Sequence, residues 1–190
     1  MIKESVKQSK TINSLSVIIT SKLFWIISFS VLTALAAQFT ILVKPVPFTL
    51  QTVMVLLAGA ILGAKNGAYS QLLYLFLGAV GLPVFAQTGD SFGIARLLGP
   101  TGGYLLAFPA AAFLVGYLVE KNKKYIEVVA SMLAANILII AVGTVYLNFV
   151  YLHNFQEAII SGAALFSVWT VVKVFIAASI YFLITKKRSN

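Results

Sequence analysis

Six apolar runs, separated by short punctuated turns, set the first limit on what this 190-residue chain can fold into. A helix that crosses a bilayer needs about 20 mostly apolar residues. Inside lipid, helices and closed barrels alone satisfy their own backbone polar groups. The runs fall at residues 23–43, 49–64, 68–82, 99–119, 125–147 and 158–185. The expected fold is all-α: a polytopic membrane protein built as a six-transmembrane-helix bundle. Composition agrees, with 60% hydrophobic and 10% charged residues against the roughly 25% charged of a soluble domain. An ordinary globular domain, a disordered chain and a nucleic-acid-binding module are excluded, so the expected surroundings are the lipid bilayer and no nucleic acid.

The punctuation has physical causes. Lys44-Pro45-Val46-Pro47 should end the first run, because proline lacks an N–H and constrains the residue before it. Lys65-Asn66-Gly67 reads as a turn, and Gly81-Leu82-Pro83 as the stop of the third run, with a longer loop over 84–98. Pro109 is expected to kink the fourth run, and Glu120-Lys121-Asn122-Lys123-Lys124 is a charged turn.

Charge position gives orientation. With six spans both termini share one side, and that side carries Lys3, Lys7, Lys10, Lys22, Lys65, Lys121, Lys123, Lys124, Lys186, Lys187 and Arg188. The opposite loops carry Lys44 and Arg96. Cytoplasmic loops hold the excess of lysine and arginine, so both termini are expected in the cytoplasm. The organisation is then a basic cytoplasmic arm over 1–22, a six-helix membrane domain over 23–185 and a basic cytoplasmic tail over 186–190. The 15–20 run is too short for the core of a cleavable signal.

Absences narrow the chemistry. There is no cysteine, one histidine and five acids, so no disulfide, thiolate chemistry or metal cluster is expected. No P-loop, His-Glu-x-x-His pair or Gly-x-Ser-x-Gly elbow is present. The acids lie outside the spans or near their ends, which argues against a proton relay. The chain reads as no enzyme, without cofactor.

Lys173 is the most informative residue, about twelve residues from the basic tail inside the last run. That is roughly 18 Å along a helix, too far to snorkel fully to the interface. A lysine near a span centre costs about 2.5–3.5 kcal/mol on insertion scales. It is expected to meet an anionic ligand group, the alternative being a pairing within the bundle. Arg96, before a helix start, can grip a carboxylate or pair locally. Gly99-Pro100-Thr101-Gly102-Gly103-Tyr104 reads either as a helix N-terminus that favours acceptor groups or as a tight packing point. Gln51 offers a donor and an acceptor, for a ligand or for interfacial bonding. Gln38, Gln71 and Asn136 lie in or near spans and suit another helix as well as a ligand. Small residues recur at four-residue spacing around Ser30, Ala34 and Ala37, and again in Gly59-Ala60-Ile61-Leu62-Gly63; such faces let helices approach, within the bundle or in a partner.

Four stretches carry a resemblance: Val46-Pro47-Phe48-Thr49-Leu50-Gln51-Thr52, Leu57-Ala58-Gly59-Ala60-Ile61-Leu62-Gly63, Gly78-Ala79-Val80-Gly81-Leu82-Pro83-Val84-Phe85 and Leu98-Gly99-Pro100-Thr101-Gly102-Gly103-Tyr104. In that order, over residues 45–118, they resemble the BioY family, the biotin-binding membrane subunits of energy-coupling-factor vitamin transporters. The resemblance implies a six-helix subunit in a prokaryotic cell membrane that captures biotin at its outer face. It implies as partners a transmembrane coupling protein and two cytoplasmic ATPases, docked on the first helix at Ser30, Ala34 and Ala37. The family's last helix shows an Asp-x-x-Lys pattern, and Thr170-Val171-Val172-Lys173 stands at that place, with threonine for the aspartate.

The chemistry of biotin fits the candidates. A ureido ring needs donors and acceptors, expected from Gln51, Gln87, Thr170, Thr101 and the Gly102–Gly103 backbone. Its apolar ring needs a wall, expected from Tyr74, Phe85, Tyr104 and Trp169. Its carboxylate needs a cation, Lys173 or Arg96. Two other readings stand beside this one: a subunit of the same architecture for another small molecule, and a structural membrane protein whose Lys173 only pairs within the bundle.

Overall fold

The structure, a computed structural model, describes residues 21–41, 46–87, 92–164 and 166–189, and their side chains except those of 163–168 and 187–189. The basic arm over 1–20, Lys44 and the 88–91 part of the outer loop with Asp90 lie outside the described residues. In chain order the elements are α1 (Lys22–Gln38), β1 (Thr40–Ile41), β2 (Phe48–Thr49), α2 (Gln51–Leu62), α3 (Ala64–Ala79), α4 (Ile94–Leu97), α5 (Gly102–Leu106), α6 (Phe108–Lys121), α7 (Tyr125–Leu147), α8 (Phe155–Ala158) and α9 (Phe166–Ser189). Two π-helical stretches, Asn148–Leu152 and Ile159–Ala164, flank α8.

Among the described residues the fold is all-α apart from one two-stranded antiparallel ribbon, in which Thr40 faces Thr49 and Ile41 faces Phe48. Three segments among them have the length and apolarity to cross a membrane: Gly102–Lys121, Tyr125–Leu152 and Trp169–Lys186. Helices α1 and α2 are shorter apolar helices. At about 1.5 Å per residue, the 12 residues of α2 reach only about 18 Å. That helix tolerates its shortness because it is central. It touches α1, α3, α6, α7 and α9, while α1 packs on α3, and α7 lies against α6 and α9.

Local chemistry explains the boundaries. The Ser21 hydroxyl caps α1 by accepting from the Phe24 N–H at 3.1 Å. α1 ends at Gln38, five residues before the expected stop at 43, because the chain turns into β1 and pairs with β2 instead of continuing. The turn expected at Lys65-Asn66-Gly67 is helical and belongs to the first turns of α3. The break is one step earlier, at Gly63, which takes φ 81°, a left-handed conformation that glycine adopts without penalty. Glu120 fixes the new helix start, its carboxylate accepting from the Ala64 N–H at 3.0 Å.

The fifth run holds its expected bounds, Tyr125–Leu147. The loop expected after it is helical instead: the His153 N–H reaches back five residues to the Asn148 carbonyl at 2.8 Å, widening the turn. The sixth run, expected from 158, is helical on both sides of residue 165, π-helical over Ile159–Ala164 and α-helical from Phe166. At Pro109 the fourth run divides into α5 and α6 around Ala107.

Close approach dominates where α2, α3 and α6 cross. A Cβ on Gly59 would collide with the Ala112 carbonyl and Val115, and one on Gly67 would meet the Gly59 backbone. The small-residue spacing in α2 thus serves packing inside the bundle.

Candidate functional site

Where α2 begins, the bundle opens into a cavity lined by residues of the ribbon, α2, α4, α5, α6, α7 and α9. Its wall is mixed. Val46, Leu105, Phe108, Ile139 and Ile140 supply apolar surface; Gln51, Thr52, Thr101, Tyr104 and Asn136 supply hydrogen-bonding groups; Lys173 and Arg96 supply positive charge.

The two cations reach it from different elements. Lys173 is buried, 6% exposed, in the first half of α9. Arg96 is buried on the short helix α4, where its Nη2 donates to the Ala86 carbonyl at 2.7 Å. Burial pulls the Arg96 pKa below its ordinary value, the nearby Tyr74 opposing the shift, and the guanidinium keeps its charge. The carbonyl contact aims the guanidinium while leaving its other N–H groups for a ligand.

Gln51 is held from both ends of its amide. The Thr49 hydroxyl donates to its Oε1 at 2.8 Å, and its Nε2 donates to the Tyr74 hydroxyl. Tyr74 in turn donates to the Val84 carbonyl at 3.1 Å, tying the start of α2 to the chain beyond α3. Its ring meets Phe85 edge-on at 5.4 Å and lies against Phe108 at 6.4 Å between centroids. Tyr74 and Phe85, expected in the wall, stand behind it; Phe108 forms the surface in front.

Other expected residues are placed as follows. Lys173, Arg96, Gln51, Thr101 and Tyr104 come together in the cavity. Gly102 and Gly103 do not line it: a Cβ on Gly103 would run into the Tyr146 side chain of α7, so this pair serves packing. The Tyr146 hydroxyl completes that contact by donating to the Leu97 carbonyl at 3.1 Å. Gln87 is exposed, on a separate small recess beside Leu82, Pro83, Phe92 and Gly93. Thr170 is buried one turn before Lys173 but outside the cavity lining. Trp169 is 48% exposed, its ring 6.2 Å from Phe48, and lines a neighbouring recess that shares Lys173 and Thr49 with the main cavity. On α1, Ser30 and Ala37 are fully buried; of the three expected docking residues only Ala34 keeps partial exposure.

Sequence reasoning assigned no site role to Thr52, Phe108, Ile139 or Ile140 and left Asn136 open. The signal for the last three was available as an i, i+3, i+4 set on α7. Among the described residues no group of histidine, cysteine or acidic side chains could hold a metal.

The sequence model of the BioY family matches residues 6–190. The biotin transporter BioY of Thermotoga maritima is 41% identical over 152 residues, 80% of this chain and 88% of that protein. The probable biotin transporter BioY of Pyrococcus horikoshii is 44% identical over 146 residues, 76% of this chain and 84% of that one. Among solved structures, the 2.1 Å crystal structure of the S-component for biotin from an ECF-type ABC transporter superposes with a TM-score of 0.78 at 28% identity, over 87% of this chain and 90% of that one.

Proposed function

This chain belongs to the BioY family, and from that premise we propose that it is the biotin-binding membrane subunit of an ATP-driven vitamin transporter. As such it is a transport component and not an enzyme. The observation that carries the reading is a cavity in which two buried cations, Lys173 and Arg96, share the wall with apolar side chains and a small set of neutral polar groups. Biotin asks for that combination: a carboxylate for a cation, an apolar ring for Phe108 and the isoleucines, and a ureido group for neutral donors and acceptors. Lys173 is the residue we assign to the carboxylate, with Arg96 beside it. Gln51, Thr101 and Tyr104 complete the lining, held from behind by Tyr74 and Phe85.

The membrane arrangement follows from the same premise. Six crossings, with both termini cytoplasmic and the cavity toward the outer face, place the basic turns on one side as the distribution of lysine and arginine favours. The chain then sits as a multi-pass protein in the cell membrane of a prokaryote. Its partners are a transmembrane coupling protein and two cytoplasmic ATPases. The face of α1 around Ala34, with the exposed Val31 and Leu35, is available for the coupling protein, since Ser30 and Ala37 are occupied against the bundle.

Calorimetry of biotin with the purified chain in detergent, beside Lys173→Ala, tests the reading. Submicromolar binding is expected, weakened in the variant by at least about tenfold, or about 1.4 kcal/mol. Tight binding unchanged by the substitution would remove Lys173 from the carboxylate. A folded chain that binds no biotin would overturn the function.

A further inference from the structure

Among the described residues four buried side-chain atoms have no hydrogen-bond partner: Ser30 Oγ, Thr52 Oγ1, Gln71 Oε1 and Asn136 Nδ2. The first and third lie on α1 and α3, away from the cavity. The other two belong to residues that line it. Leaving a buried donor unmade carries the full cost of its desolvation, and a membrane interior has no bulk water to relieve it.

A structural amide within this bundle looks different. Gln71 also lies on a span and is fully buried, yet its Nε2 donates to Thr33 across the α1–α3 contact at 3.2 Å and to Ser70 at 3.1 Å. That is the helix-to-helix use of an intramembrane amide. Asn136 is 3% exposed, and its Nδ2 makes no such bond. It stands on α7 with Ile139 and Ile140, a polar residue set into an apolar stripe that lines the cavity together with Thr52, Gln51 and Lys173.

We propose that Asn136, together with Thr52, recognises a neutral hydrogen-bonding group of the ligand and so sets specificity. Resting on the reading that the cavity takes biotin, the group is the ureido ring. An amide presents a donor and an acceptor side by side, the complement of a carbonyl flanked by N–H groups. It brings no charge for the carboxylate, which the two cations serve. A site that pairs such a group rejects analogues lacking it far more strongly than an apolar pocket rejects a change of size.

The test compares three ligands by calorimetry: biotin, 2-thiobiotin, whose ureido oxygen is replaced by a poorer acceptor, and biotin methyl ester, which lacks the carboxylate. Asn136→Leu is expected to weaken biotin by about tenfold. It should shrink the preference for biotin over 2-thiobiotin by a similar factor while leaving the preference over the ester within about twofold. Lys173→Ala should do the reverse. Asn136→Leu that melts like the parent chain and binds biotin within about twofold of it would overturn the assignment, as would a collapse of the ester preference instead. If Asn136→Leu does not fold, Thr52→Val, a change of one hydroxyl to methyl, carries the same ratio test, with about a threefold loss expected; unchanged ratios there overturn the proposal. A parent chain that binds no biotin sinks the functional reading itself, and this assignment with it.

Discussion

The two ends of α2 do opposite things. Toward its C-terminus, Gly59 lies with no side chain between it and the Ala112 carbonyl, and Gly67 of α3 closes on it from the other side. Toward its N-terminus, Gln51 and Thr52 line an open cavity. Twelve residues of one helix therefore hold a tightly packed crossing and an open site. Dispersion contacts reward close packing, whereas a binding site must leave volume and hydrogen-bonding capacity unused until the ligand arrives. The crossing anchors α2 against α3 and α6, and that anchorage lets its other end stay open without the bundle collapsing into the space.

The largest effect should come from breaking the packed end. Gly59→Leu sets a side chain against backbone that cannot yield. Overpacking typically costs about 1–3 kcal/mol and sometimes more, which for a chain of this size lowers Tm by about 2 °C or more. Thermal melts in detergent measure it, and a melt that stays with the parent chain would show that the crossing is not what anchors α2. The open end is held by Tyr74, whose hydroxyl accepts from Gln51 and donates to Val84. Tyr74→Phe keeps the ring contacts and removes both bonds. We expect a loss of about 1 kcal/mol in stability and a severalfold loss in biotin affinity, because Gln51 is no longer held. Loss of stability with affinity intact would separate the support of the site from its function.

Much of the packed end was legible in the sequence, and only part of the open end. Hydropathy marks long apolar segments well, and the bounds of α7 were read directly. Small-residue spacing in 59–63 pointed to close approach, and the structure assigns that approach to the interior. The ribbon over Thr40–Ile41 and Phe48–Thr49 was not legible, since two residues per strand leave no periodicity to read. The break at Gly63 was misplaced because Lys65 and Asn66 look like a turn, while the deciding partner, Glu120, is far away in sequence. Lys173 and Arg96 stood out as charges in apolar surroundings. Asn136 did not, because an intramembrane amide serves helix contacts as readily as ligands; what tells them apart is that the Gln71 Nε2 bonds across to another helix, whereas the Asn136 Nδ2 has no partner and its residue lines the cavity. Gly102 and Gly103 pack against Tyr146 and lie outside the cavity lining, and a glycine pair has the same signature whether a ligand or a tyrosine ring comes close.

The smallest expected effect sharpens the boundary of the open end. Gln87 is one of the polar residues expected for the ureido ring, and it follows directly on Ala86, which lines the cavity. Its side chain nevertheless belongs to the recess on the other side of that strand of backbone, and it is exposed. The Ala86 carbonyl is already committed to Arg96. Exposed substitutions away from packing and bonding networks stay within about 0.5 kcal/mol. Gln87→Ala should therefore leave biotin affinity within about twofold of the parent chain and Tm unchanged. A tenfold loss measured in the same calorimetry would mean that the loop folds over the ligand on binding and that the cavity wall extends beyond Ala86.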